Sequence, residues 1–228
     1  MAEITYLGHA CIRIRGREGV VLFDPFDRSV GLEIGKPTAH IVAVSHNSGD
    51  HNNVGAVKPL KEPETVFLAD GPGEYEVKNI LIRGIDTAHA SADGKKQGHN
   101  TVYVVHLDDI AFCHLGDLGH SLTASQIDDI GEVDVVFAPV GDGSWVMKPD
   151  VLSEVISEIQ PKLVIPMYNN NPQQSLEASD LEPLETFVHQ MGLKEYQVQE
   201  KLAVSVSTLP REDEETQFAV LRPLSAAA

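Results

Sequence analysis

The segment Ser45-His46-Asn47-Ser48-Gly49-Asp50-His51 places two imidazoles and a carboxylate within six residues. It directly follows the apolar run Ile41–Val44, which is typical of a buried strand. Imidazole and carboxylate groups are the usual protein ligands of zinc, iron and manganese, and a loop at the end of a strand can direct several of them at one point. The segment therefore predicts a metal site.

Further histidines and an aspartate lie where they could add to such a site. His89 follows a predicted strand and precedes the polar segment Asp93–Gly98. His114 and His120 flank the pair Gly116-Asp117. Because glycine permits close backbone turns, the carboxylate after it could approach and bridge two cations.

Strands and turns must position these residues. Strand-like runs separated by Gly, Pro, Asn or Asp dominate the first half of the chain, and strands alternate with helices in the second half. The predicted strands are Ile4–Leu7, Cys11–Arg15, Val20–Asp24, Ile41–Val44, Val66–Leu68, Ile80–Arg83, Thr101–Val105, Ile110–Cys113, Val133–Ala138, Leu163–Pro166, Tyr196–Gln199, Leu202–Ser207 and Phe218–Leu221.

Four helices are predicted from caps and apolar spacing. They begin at Asn52 or Asn53, at Ser121 or Thr123, at Pro149, and at a capping box of Ser179 with Glu182. This order of elements predicts an α+β fold in which two sheets pack together with helices outside. No change of composition marks a second domain, so we expect one domain over residues 1–224 and an unstructured tail at 225–228.

Size and charge limit the classes of partner. A chain of 228 residues, with 42% hydrophobic and 22% charged residues, is typical of a globular protein with a full core. The net charge of −17 argues against binding to nucleic acid or to an anionic membrane, because like charges repel. We expect a small-molecule substrate, which a local basic patch would allow to be anionic; a homo-oligomer is also compatible with the sequence.

Compartment is predicted from the cysteines and the N-terminus. Cys11 and Cys113 lie in strand-like runs and are expected to be buried free thiols. There is no charged-then-apolar leader, and no apolar run approaches the roughly 18 residues of a membrane span. These features predict a cytoplasmic protein.

Short motifs in a fixed order carry a family resemblance. In chain order they are Tyr6–Ala10, Phe23–Pro25, His46–His51, Gly71–Glu76, His89, Asn100-Thr101, His114–His120 and Ile165–Met167. Together they resemble the metallo-β-lactamase superfamily, in the branch that includes ascorbate-6-phosphate lactonase-like hydrolases. The resemblance implies a four-layer αβ/βα sandwich of two mixed β-sheets flanked by helices.

The resemblance also implies a set of metal ligands. In this family the first motif has the pattern His-x-His-x-Asp-His, and later residues complete two adjacent sites. Carried over by position, His46 and His89 match ligands of the first metal and Asp50 and His51 match ligands of the second. Asp117 matches the carboxylate that bridges them. The implied cofactor is a divalent metal (zinc, manganese or iron), as one or two ions with incomplete occupancy allowed.

Other residues match supporting positions of the family. By resemblance, the residues that would hold the imidazoles in place through hydrogen bonds are His9, Asp24 and His120. For each of them, a purely structural role in joining strand ends is an equally good interpretation.

Two positions depart from the family pattern. Ser48 stands where the second histidine of the motif belongs, and Tyr168 stands where a histidine normally follows Pro-Met. A serine hydroxyl is a poor neutral ligand, and a tyrosine could help only as a phenolate, whose parent phenol has a pKa of about 10. Each predicted site therefore lacks one imidazole.

Two functions remain open from the sequence. The first is a metal-dependent hydrolase in which metal-bound hydroxide attacks an ester, lactone or phosphoester, with Asp50 orienting or deprotonating the nucleophile as well as binding metal. The alternative is a degenerate, non-catalytic member of the fold that acts as a binding or scaffold protein, since a fold alone does not determine function.

Overall fold

In a computed structural model of the chain, the described residues are 1–90, 96–140, 147–167, 187, 189–192, 196, 198–211 and 213–224. The strands are β1 (Ala2–Gly8), β2 (Cys11–Arg15), β3 (Val20–Phe23), β4 (Ile41–Ala43), β5 (Phe67–Ala69), β6 (Gly73–Val77), β7 (Ile80–Ala90), β8 (Lys96–Leu107), β9 (Ile110–His114), β10 (Val135–Pro139), β11 (Leu163–Met167), β12 (Val198–Gln199), β13 (Lys201–Val204), β14 (Gln217–Phe218) and β15 (Val220–Leu221). The helices are α1 (Ala124–Ile130) and α2 (Pro149–Ile159), with 3₁₀ turns at Arg28–Val30 and Val54–Ala56.

Two mixed sheets dominate the structure. The first has the strand order β13-β1-β2-β3-β4-β5 and the second the order β14-β11-β10-β9-β8-β7-β6, while β12 pairs separately with β15. In each sheet a parallel portion adjoins an antiparallel portion. The prediction of an α+β sandwich built from two mixed sheets is therefore confirmed.

The main core lies between the two sheets, because strand side chains alternate between faces. In β2, for example, Ile12 and Ile14 are buried in this inter-sheet core, while Cys11 belongs to a second cluster on the other face. From the second sheet, Tyr103, Phe112 and other large side chains meet them. Strands β3 and β4 are buried throughout, as expected for strands that are covered on both faces.

Helices cover the outer face of the second sheet. Leu152, Val155 and Ile156 on one face of α2 pack with Ile130 of α1 against the sheet. Thr123 caps α1 through a capping box with Gln126, and Pro149 is the first residue of α2, as the sequence predicted. On the outer face of the first sheet, the described elements are loops and the two 3₁₀ turns.

Several element predictions need correction. The helix expected from Asn52 or Asn53 is only the 3₁₀ turn Val54–Ala56; the Asn53 side chain donates to the Phe26 carbonyl instead of capping it. Strand β6 was not predicted, and the strand expected over Phe218–Leu221 is divided between two sheets. The Ser179 capping box and the tail at 225–228 lie outside the described residues.

The strand directions bring the candidate residues to one edge of the molecule. Strands β1 and β3 are both antiparallel to β2, and β4 and β5 are parallel to β3, so their carboxyl ends lie on one side. In the second sheet, β7 and β9 are both antiparallel to β8, and β10 and β11 are parallel to β9, so the carboxyl ends of these four strands also lie on one side.

Among the described residues, no helix combines the length and apolarity needed to cross a membrane.

Candidate metal centre

The candidate residues come from the carboxyl ends of five strands. Asp24 follows β3, the segment 45–51 follows β4, and His9 follows β1. From the second sheet, His89 lies near the end of β7, and Asp117 follows β9. Tyr103 joins the sheets at this edge, because its hydroxyl lies 3.1 Å from the Val44 carbonyl oxygen and 3.0 Å from that of Ala69.

Asp117 is the centre of the cluster. Its Oδ2 atom lies 3.2 Å from His89 Nε2, 3.5 Å from His51 Nε2 and 3.8 Å from His46 Nε2. The structure therefore brings three imidazoles from two separate chain segments, residues 46–51 and residue 89, to a single carboxylate oxygen. This is the arrangement expected when one carboxylate serves two adjacent cations.

The possible ligand atoms form two groups. His46, His89 and Asp117 each offer one atom, and these atoms all lie within 4.8 Å of one another. His9, Asp50 and His51 form a second group by the same measure.

The chemistry of these groups fits a divalent metal. Each group combines two imidazole nitrogens with one carboxylate oxygen, a donor set that zinc, manganese and iron accept. Three protein ligands also leave a coordination position for water or substrate, as catalytic zinc sites do. The residues present therefore fit two cations without a contribution from position 48 or 168.

Asp24 supports both imidazoles of the first motif. It is fully buried, and its Oδ2 lies 3.0 Å from His51 Nδ1 and 2.7 Å from Ser45 Oγ. Ser45 Oγ in turn lies 3.0 Å from His46 Nδ1. With Nδ1 of each ring paired to an oxygen in this way, Nε2 is the nitrogen that each ring directs at the carboxylates of the cluster, which is the usual arrangement of metal-bound histidines.

Burial and neighbouring carboxylates set the pKa values of the histidines in the cluster. Burial lowers the pKa of His51, but the Asp117 and Asp24 carboxylates outweigh this effect and raise the pKa to about 9. Burial likewise lowers the pKa of His46, and here it prevails. A cation that binds His51 at neutral pH must therefore displace a proton.

Asn100, His114 and Gly116 fix the loop that carries Asp117. Asn100 Oδ1 accepts from the Asp117 amide at 2.9 Å, and its amide donates to the Leu115 carbonyl at 3.0 Å. His114 accepts from the Gly116 amide at 3.2 Å. A Cβ on Gly116, whose φ is 57°, would lie 2.4 Å from Asn100 Oδ1, so only glycine fits there.

Sequence reasoning did not assign these supporting roles. Ser45 and Asn100 are fully or almost fully buried polar residues, and His114 is fully buried. Asn100 lies among polar residues at the start of β8, before the apolar run that begins at Val102, so no hydrophobic pattern indicates its burial. The sequence signal for Asn100 is its place in the motif Asn100-Thr101 that carries part of the family resemblance. The sequence gives a weaker signal for His114, which is marked only by its position next to Gly116-Asp117.

The structure describes two of the remaining predicted site residues, Ser48 and His120, and both form hydrogen bonds. Ser48 Oγ donates to Asp50 Oδ1, so it holds a carboxylate of the second group. Tyr168 lies outside the described residues. His120 accepts from the Ala88 amide at 3.0 Å and donates to the Ser121 carbonyl at 2.7 Å, so it fixes backbone next to His89 and contacts no ligand side chain through these bonds.

Comparison with known proteins places these observations in a family. Residues 3–168 match the model described as the beta-lactamase superfamily domain. A UPF0173 metal-dependent hydrolase of Pyrococcus horikoshii is 26% identical over 211 residues, which cover 81% of this chain and 92% of that protein.

Two solved structures extend the comparison. A metallo-β-lactamase superfamily protein of Thermotoga maritima is 30% identical, with a TM-score of 0.74 and coverage of 97% of this chain and 100% of the other. Igni18, a metallo hydrolase of Ignicoccus hospitalis, is 19% identical, with a TM-score of 0.62 and coverage of 90% and 99%. The second of these bears on the fold alone.

Proposed function

The chain belongs to the metallo-β-lactamase superfamily, and on that premise we propose that it is a metal-dependent hydrolase of esters, lactones or phosphoesters. The observation that carries the proposal is the convergence of His46, His51 and His89 on Asp117 Oδ2. Relatives named metal-dependent hydrolases, similar over most of their length, support the same activity.

The proposed ligand roles follow the two groups. His46 and His89 would hold the first cation, Asp50 and His51 would hold the second, and Asp117 would be shared between them. When bound, the cations lower the pKa of a coordinated water from about 16 towards 7 and stabilise negative charge on the substrate oxygen. The metal is zinc, manganese or iron, each of which accepts this donor set.

In this proposal Asp50 also acts on the attacking water. Burial raises its pKa, but the His9 and His51 imidazoles and the Ser48 hydroxyl outweigh this effect and hold the pKa below the usual range. The carboxylate is therefore ionised, and its side chain is 35% exposed, which leaves it open to solvent. An ionised carboxylate at this position accepts a hydrogen bond from water and so orients it for attack.

Metal content and hydrolysis, measured on the same preparations, test the proposal. Protein stripped by a chelator is reconstituted with zinc, manganese or iron, analysed for metal, and assayed against panels of carboxylic esters, lactones and phosphoesters. We expect metal to be retained and hydrolysis to appear only in reconstituted samples. Less than about a tenth of an equivalent of every metal after reconstitution would overturn the proposal. Retained metal without hydrolysis of any panel member would favour the degenerate binding protein.

Replacing Ser48 with histidine is expected to increase the metal affinity of the first site, because it adds the imidazole that the family pattern has there. Ser48→Ala is the matched control, since it also removes the hydrogen bond to Asp50 Oδ1 but adds no ligand. Isothermal titration of both variants with zinc measures the difference. Equal affinities would show that residue 48 does not face the first cation.

A further inference from the structure

The backbone of His9 is held in an unusual conformation next to the site. Its φ is 55°, in the left-handed region that side chains other than glycine rarely adopt. The preceding Gly8 has a φ of 118°, and a Cβ there would lie 2.6 Å from Leu32 Cδ1. The buried Tyr6 hydroxyl donates to the His9 carbonyl at 2.8 Å. Such backbone strain often lies at functional sites, where surrounding contacts maintain it.

This conformation directs the imidazole into the cluster. The His9 residue is 5% exposed, and its ring packs edge-on against His51 with the centroids 4.9 Å apart. His9 Nε2 lies 3.4 Å from Asp50 Oδ2, the same oxygen that lies 3.8 Å from His51 Nε2. Two imidazole nitrogens and one carboxylate oxygen therefore face one another.

The hydrogen bonds around the cluster argue against a purely supporting role for His9. A supporting residue normally binds the distal atom of a ligand. The distal nitrogen of His51 is already bound by Asp24, and the other oxygen of Asp50 accepts from Ser48. His9 instead faces Asp50 Oδ2, the oxygen turned towards His51 Nε2.

We propose that His9 is itself a metal ligand, supplying the second imidazole of the second site. That site would then consist of His9, Asp50 and His51 with the shared Asp117, and it would not depend on the residue at position 168. The inference rests on the proposed metal dependence and changes the expectation that His9 only supports a ligand. It gives this chain two imidazoles at each site although both family histidines at 48 and 168 are replaced.

Two substitutions of His9 separate a ligand from a supporting residue. His9→Gln keeps an amide that can donate to Asp50 but removes the imidazole. His9→Gly also removes the imidazole, and glycine suits the left-handed backbone, so this variant is expected to fold. His106→Gln, at an exposed position on β8, controls for the general loss of a histidine.

The wild type and the variants are stripped, reconstituted with zinc, and compared by elemental analysis. We expect both His9 variants to lose the second ion while His106→Gln keeps the wild-type content, and we expect added imidazole to restore the ion to His9→Gly. In wild-type protein with isotopically labelled histidine and enriched cadmium, we expect a scalar coupling between the metal and His9 Nε2. Thermal unfolding of the metal-free proteins verifies that the variants are folded.

Each outcome is decisive. Wild-type metal content in His9→Gln, together with the absence of cadmium coupling to His9, would overturn the ligand assignment and leave the proposed function intact. If the wild type binds one ion, its loss in both His9 variants supports the assignment, and its retention overturns it. If the wild type binds no metal at all, the proposed function itself fails and the His9 inference fails with it.

Discussion

Replacing Asp117 with asparagine is expected to abolish tight metal binding at both sites and, with it, all hydrolysis. The side chain keeps its shape but loses the charge on Oδ2, towards which the Nε2 atoms of His46, His51 and His89 converge. An amide oxygen is a much weaker ligand than a carboxylate, and it cannot balance two divalent charges. Asp117 belongs to the first ligand group, and its Oδ2 also lies 3.5 Å from His51 Nε2 of the second group.

Asp109→Asn is the matched control for this change. Asp109 lies at the turn between β8 and β9, its side chain is 86% exposed, and its φ of 62° suits asparagine. We expect that variant to keep the wild-type metal content. Elemental analysis after reconstitution and hydrolysis of the responsive panel substrates measure both variants.

The metal-free forms distinguish loss of a ligand from loss of the fold. Because the Asp117 carboxylate helps to raise the pKa of His51 to about 9, its removal should lower that pKa in metal-free protein, which NMR titration of the imidazole would detect. A folded Asp117→Asn variant that retains two metal ions would show that this carboxylate does not bridge the sites.

The local part of the site could be predicted from sequence because one strand and one loop carry it. The apolar run Ile41–Val44 predicts strand β4. The loop that follows the carboxyl end of β4 carries His46, Asp50 and His51, so these three residues must lie at that end of the strand. His89 and Asp117 were identified by family resemblance, and the structure brings them to the same place because β7 and β9 run in the same direction.

The supporting contacts could not be predicted in the same way, because they depend on distances between chain segments far apart in sequence. Ser48 was interpreted as a poor ligand of the first metal, whereas its hydroxyl binds the Asp50 carboxylate. The sequence predicted His9 to be a supporting residue but could not give the direction of its ring, whose Nε2 atom lies 3.4 Å from Asp50 Oδ2. Neither side-chain direction follows from periodicity, since both residues lie in tight turns where backbone dihedrals decide orientation.

Asp24 supports one of the proposed ligands, His51, without being a proposed ligand itself. This fully buried carboxylate accepts three hydrogen bonds: from the Ser45 amide and the Ser45 hydroxyl, each at 2.7 Å, and from His51 Nδ1 at 3.0 Å. Burial raises its pKa, but His51, His114 and the Ser45 amide together hold the pKa below its usual value. It therefore stays ionised and increases the basicity of the His51 nitrogen that would bind metal.

Replacing Asp24 with asparagine is expected to lower zinc affinity about 10- to 100-fold, most strongly at the second site, because His51 loses its charged partner. The φ of 44° at this position is tolerated by asparagine, so the backbone should be retained. One donor facing the new amide group would be left unsatisfied, at a cost of about 1–3 kcal/mol in the free energy of unfolding.

Ser45→Ala is the matched comparison, since it removes the contact to His46 Nδ1 and should weaken mainly the first site. Zinc titration of both variants, with metal-free unfolding in denaturant, measures these effects. Equal losses at both sites in the two variants would contradict the expectation that the second site depends mainly on the direct contact of Asp24 with His51 and the first mainly on that of Ser45 with His46.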